Sequence, residues 1–173
     1  MILSDAVKII RGEGKVAVIN RKDLAFFASH KWWLDPKRGI MRHRKAGEMG
    51  PKTIYYHREI TGFEHGIEVD HINRNPLDNR RENLRPATRK QNIRNTSVRS
   101  DNISGYKGVS WVSARGEWLA RIVHDGGIIS RGPFKCRHEA AKVYNELAMK
   151  YHGEFAFINE IKELPCMLSK PVP

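Results

Sequence analysis

The stretch Asn95 to Gly105, NTSVRSDNISG, limits the fold of this chain more than any other part of it. It is rich in Asn and Ser, polar and unperiodic, so it reads as a linker. A chain of 173 residues interrupted at that point builds two small cores rather than one large one. The expected division is residues 1–95, a linker over 96–104, a second domain over 105–159 and a tail over 160–173, the tail poorly ordered. The expected class is α+β.

Charge and composition narrow the function classes. Lys and Arg number 31 against 19 Asp and Glu, a formal net charge of +12. Affinity for polyanions follows, whether nucleic acid, anionic lipid or ribosome surface. Mean hydropathy is −0.57, and no apolar run approaches the roughly 18 residues of a membrane span, so no membrane association is expected. The N-terminus lacks the basic and long apolar regions of a secretion signal. An intracellular protein is therefore expected. Cys136 and Cys166 are too few for a disulfide framework and form no C-x-x-C pair, so neither a disulfide scaffold nor a structural zinc is expected, and folding comes from packing.

In the first half, Lys15 to Asn20 reads as a strand, and Asp23 as the cap of a brief helix carrying Leu24, Phe26 and Phe27. His30 to Leu34 and Gly39 to Arg44, on either side of the Asp35-Pro36 turn, read as a small antiparallel sheet with Trp32 and Trp33 in its core. In the second half, Gly105 to Val112, Glu117 to Val123 and Gly127 to Phe134 are β-rich runs separated by hairpin signals. A helix follows from Arg137 to His152, with Ala140, Tyr144, Leu147, Ala148 and Tyr151 on one face and Gly153 at its stop.

From Thr53 to Asn95 the chain shifts to His, Asn, Asp and Arg, which is unusual for a segment that only builds a core. Its polar skeleton is Asp70-His71, eleven residues, Asn83, eight residues, Asn92. Asp70 and the Asn92 amide oxygen suit a hard divalent cation. His71 has the one neighbouring side chain with an ordinary pKa near neutrality, so it is the natural general base. Locally, Ile67 to His71 reads as a strand entering a turn-rich loop, Leu84 to Ala87 as its returning partner, and Thr88 as the start of a helix with a Thr-x-x-Gln capping box that puts Asn92 one turn inside. The result is a β-β-α unit. A basic stretch follows, with Arg85, Arg89, Lys90, Arg94, Arg99 and Lys107 against the single acid Asp101, and these cations are candidate DNA contacts.

These residues resemble the HNH nuclease motif, the ββα-metal site of many phage, intron-encoded and restriction endonucleases. Asp70-His71 matches the family's Asp-His pair, Asn83 its central Asn, and Asn92 its last position, where many members have His and a phage homing branch has Asn. The resemblance implies His71 as general base, Asp70 and Asn92 as ligands of one divalent metal, and Asn83 as the brace of the loop that orients His71. Mg²⁺ suits the oxygen donors best, and Mn²⁺ or Ca²⁺ would fit them too. It further implies hydrolysis of a phosphodiester to 5′-phosphate and 3′-hydroxyl ends. Tyr56-His57-Arg58 resembles the His-Arg step ahead of the motif in phage members, with His57 in a structural or phosphate-neighbouring place and Arg58 against DNA.

Gly105 to Asn159 resembles the DNA-binding domain of the plant Apetala and ethylene-response-factor family. The matches are Tyr106-Lys107-Gly108-Val109, Trp118 to Ile122, Gly132-Pro133-Phe134, Glu139-Ala140-Ala141, Tyr144, Gly153 and Ala156 to Asn159. A three-stranded antiparallel sheet packed on one helix is implied, with the sheet in the major groove. Strand alternation puts Trp118, Ala120 and Ile122 toward the helix and Leu119, Arg121 and Val123 on the opposite face. Lys107, Ser110, Arg115, Arg121 and Arg131 are the candidate DNA contacts. Cys136 stands at the helix-cap position in a structural role.

Together these features point to a homing-type, two-domain endonuclease of duplex DNA in a phage or mobile-element setting, acting in the host cytoplasm as a monomer or weak dimer. A non-catalytic transcription regulator would need the second domain but not the Asp70, His71, Asn83 and Asn92 spacing. A ribosome-associated or RNA-binding basic protein would explain the charge alone.

Overall fold

The computed structural model describes residues 5–11, 14–43, 47, 49 and 53–161. Chain contacts divide it into Met1–Asn92 and Ile93–Pro173.

The first unit opens with a hairpin of β1 (Ala6–Arg11) and β2 (Lys15–Asn20), paired from Ala6 with Asn20 to Arg11 with Lys15. The sequence reading found β2 and missed β1. Ala17 and Ile19 of β2 are buried, and Val7 and Ile9 of β1 pack against the same core, as period-2 alternation requires. α1 (Leu24–Ala28) follows. Asp23 does not cap it through its side chain; the carboxylate instead takes Nε and Nη2 of Arg81 at 3.0 and 2.7 Å.

β3 (Trp33–Asp35), β4 (Gly39–His43) and β5 (Thr53–Tyr55) form a three-stranded antiparallel sheet in that order. Asp35 closes the turn between the first two, its Oδ1 accepting Lys37 N and Arg38 N at 2.8 Å each. Only Trp32 of the two tryptophans is core: it is 4% exposed and Trp33 is 38% exposed. The reason is alternation, since neighbours on a strand leave on opposite faces. Trp32 meets Tyr56, at the start of α2 (Tyr56–Thr61), edge to face at 5.2 Å.

β6 (Glu68–His71) pairs antiparallel with β7 (Leu84–Ala87), and α3 (Arg89–Asn95) follows. The expected capping box is present: Thr88 N donates to Gln91 Oε1 at 2.8 Å, and Gln91 N donates to Thr88 Oγ1 at 3.3 Å. β2 also pairs with the loop between β6 and β7. Val18 N donates to Leu77 O at 2.8 Å, Asn79 N to Val18 O at 2.7 Å, and Arg81 N to Asn20 Oδ1 at 2.7 Å. The N-terminal hairpin thus holds the backbone of the polar loop.

In the second unit, β8 (Val109–Val112), β9 (Glu117–His124) and β10 (Gly127–Phe134) form an antiparallel sheet of order β10-β9-β8, with α4 (Arg137–His152) packed on it. Trp118, Ala120 and Ile122 are buried with Ala140, Tyr144, Leu147 and Ala148, while Arg121 and Val123 are exposed. Gly108 is at φ +72°, and a Cβ there would lie 2.0 Å from the Tyr144 ring and 2.6 Å from Arg121 O. Asn159 clasps the start of this sheet, its Oδ1 accepting Lys107 N at 2.8 Å and its Nδ2 donating to Lys107 O at 3.1 Å.

Residues 96–104, read as a linker, group with this unit. Asn95 and Ser104 are buried, and Ser104 Oγ donates to Tyr106 O at 2.9 Å. Polar side chains there make side-chain to backbone bonds, as Asn102 Oδ1 does in accepting Gly105 N at 2.8 Å. Cys136 is buried at the start of α4. Cys166 and the tail from residue 162 lie outside the described residues. No helix among the described residues is long and apolar enough to cross a membrane.

Candidate active site

β6 carries the site because it sends alternate side chains to two environments. Glu68 and Asp70 leave on one face; Val69 and His71 leave on the other, beside the core residue Leu84 that pairs with His71. Asp70 is 3% exposed and ion-paired with Arg85, whose Nε and Nη2 reach Oδ2 at 2.8 and 2.7 Å. Arg85 stands directly across the ladder from Asp70, which is why they meet. Its side chain is only 11% exposed. Arg85, a candidate for DNA contact in the sequence, is thus ion-paired with Asp70.

Asn92 comes to the same strand from α3. Its Nδ2 donates to Glu68 Oε2 at 2.6 Å, so the helix is tied to the face that bears Asp70. Among the described residues no three His, Cys, Asp or Glu side chains form a metal-binding group. Asp70 offers a carboxylate and Asn92 an amide oxygen, both of them donors that a cation could use. Such hard donors, completed by water and phosphate oxygens, match the coordination habit of Mg²⁺.

His71 is half-buried on the Val69 face of β6. Its ring lies 5.2 Å from that of His57 at 89°, and Tyr55 stacks on His57 at 5.5 Å. Burial lowers the pKa of His71; the Asn79 side chain, as a hydrogen-bonding partner, and the carboxylates of Asp70 and Asp78 oppose that shift. The net direction is downward, so the ring is neutral and able to accept a proton at neutral pH. Burial, then the neighbouring His71 and Arg58, lowers His57 to about 3.

Asn83 is 6% exposed and makes its contacts with the loop rather than with His71. Its Oδ1 accepts Asn73 N at 3.0 Å, and its Nδ2 donates to Asn73 Oδ1 at 2.9 Å and to Asp78 O at 2.7 Å. The side chain that reaches His71 is Asn79, fully buried and read in the sequence as a turn former only. Glu68 was also missed. The available signal for it was the two-residue step to Asp70, which puts both on one strand face.

The remaining basic candidates fall into distinct settings. Arg58, Lys90 and Arg115 are exposed; Arg94 is half-buried; Arg89 lies 3.8 Å from Glu68, and Arg99 pairs with Asp101 at 3.0 Å. Lys107, also expected at DNA, turns its Nζ onto Arg94 O at 2.8 Å and Thr96 O at 2.6 Å, because the end of α3 leaves carbonyls that a cation satisfies. Arg121 is exposed on the open face of the sheet, with Ser110 beside Leu119 on that face. Arg131 is exposed too, but its ladder partner is Ala120, so it leaves from the helix side, and Ser130 is the neighbour of Arg121.

The HNH endonuclease family profile matches residues 56–94, a span that includes His57, Asp70, His71, Asn83 and Asn92. An uncharacterised HNH endonuclease of Acanthamoeba polyphaga mimivirus is 33% identical over 152 residues, 87% of this chain and 78% of that protein. Protein 3.8 of Escherichia phage T7 is 33% identical over 93 residues, 53% of this chain and 74% of that protein. No solved structure matches. The chain belongs to the HNH endonuclease family.

Proposed function

We propose that this protein is a metal-dependent endonuclease that hydrolyses phosphodiester bonds in duplex DNA. The observation that carries the reading is the two-sided use of β6 inside the matched segment: half-buried His71 held neutral on one face, and on the other Asp70 together with Glu68, which binds Asn92. His71 takes the proton from a water as it attacks phosphorus, and the bond to the 3′ oxygen breaks. Asp70 and Asn92 hold a divalent cation, Mg²⁺ by its preference for such donors. When bound, the cation supplies Lewis-acid stabilisation of the leaving oxygen. Asn83 pins Asn73 and Asp78 and so fixes the loop that follows the base. In this reading residues 105–159 form an Apetala-type sheet that reads the major groove, with Arg121 on its open face and Arg115 in the β8–β9 turn; Arg58 and Lys90 add backbone contacts to the nuclease unit.

Supercoiled plasmid incubated with wild type and with His71→Ala, with and without Mg²⁺, tests this reading. Wild type is expected to give metal-dependent cutting. His71→Ala should lose about 10²–10⁴-fold in rate while keeping DNA binding. Wild-type cutting by His71→Ala would remove the assignment of the base, and binding without any cutting would favour a non-catalytic regulator.

A further inference from the structure

An asparagine ligand presents a problem of orientation. Its amide has an oxygen that binds cations and an NH₂ group that cannot, and a half-turn exchanges the two at almost no change in shape. Something must hold Asn92 the right way round. Glu68 stands at the head of β6, two residues before Asp70 and on the same strand face. Its carboxylate can only accept, and it does so from Asn92 Nδ2 at 2.6 Å. Arg89, on the same helix as Asn92, lies 3.8 Å from the other Glu68 oxygen.

We propose that Glu68 is a positioning residue for the cation site: it fixes the Asn92 amide with its nitrogen on the strand, so that its oxygen is the atom offered as a ligand. The inference rests on the reading of Asp70 and Asn92 as cation ligands. Glu68→Gln keeps the shape but can meet either end of the amide, so it removes the selection without opening a cavity.

Mn²⁺ titrated into the full-length protein without DNA, and followed by electron paramagnetic resonance, tests the proposal. Glu68→Gln and Asn92→Ala are each expected to weaken binding about 10–100-fold, the usual cost of disturbing a ligand or the group that orients it. The double variant should bind no worse than Asn92→Ala, because Glu68 acts through Asn92. Losses that multiply in the double variant would overturn the proposal, since Glu68 would then act on the cation independently. Unchanged binding in Glu68→Gln beside weakened binding in Asn92→Ala would overturn it too. If Asn92→Ala and Asp70→Asn both bind Mn²⁺ as wild type does, the ligand assignment itself fails, and the proposal with it. The metal-free wild type supplies a second readout: one Asn92 side-chain amide proton should resonate downfield through its bond to the carboxylate, and an ordinary exposed pair of resonances would overturn the proposal.

Discussion

His57 is the residue whose surroundings have the plainest thermodynamic consequence. Its pKa of about 3 in the folded protein lies below the ordinary 6.5, chiefly through burial. Above pH 6.5 the ring is neutral whether the chain is folded or unfolded, and its contribution to stability is fully present. As the pH falls from 6.5 toward 3, the unfolded chain takes up a proton that the folded chain refuses, and stability is lost by at most about 1.4 kcal/mol per pH unit from this group. Thermal melting between pH 7.5 and 5 should record that loss, and His57→Gln should flatten it. Arg85 makes the opposite kind of case. Arg85→Met leaves the buried Asp70 carboxylate without its strongest cationic neighbour, at an expected cost of about 3–5 kcal/mol in denaturant unfolding. A residue that merely touched DNA would show no such loss.

At the scale of elements, a cation's role depends on what its strand or helix presents to it. Lys107 sits at the entry to the second sheet and satisfies the carbonyls at the end of α3. Lys107→Met should therefore cost about 1 kcal/mol of stability and leave the salt dependence of DNA binding nearly unchanged. Arg121, exposed between Leu119 and Val123 on the open face, should behave the other way. Arg121→Ala should stay within about 0.5 kcal/mol of wild type in stability and lower the log–log salt slope by about 1. Filter-binding titrations across salt concentrations, set beside melting curves, separate the two. Gly108 shows why the sheet and α4 sit so close: the Tyr144 ring occupies the place a side chain would need.

At the scale of the whole molecule, one HNH site hydrolyses one strand at a time, so dilute enzyme should convert supercoiled plasmid to open circles before linear product appears, and the order of appearance on a gel checks this. The sequence by itself determined the local elements: β6, β7, the capped α3, the three strands of the second sheet and α4 are all legible in it, because period-2 alternation, turn residues and a capping box act over a few neighbouring positions. It also marked Asp70, His71, Asn83 and Asn92 through their spacing. Tertiary structure decided what those side chains touch. That Asn83 pins Asn73 and Asp78 while Asn79 reaches His71, that Arg85 and Lys107 turn to internal partners, that Asp23 binds Arg81 rather than capping α1, and that Glu68 holds Asn92 all depend on ladder register and on contacts between segments far apart in the chain. Those contacts are chosen by which buried charge or carbonyl must be satisfied once the core has closed, a condition that no local window of sequence contains.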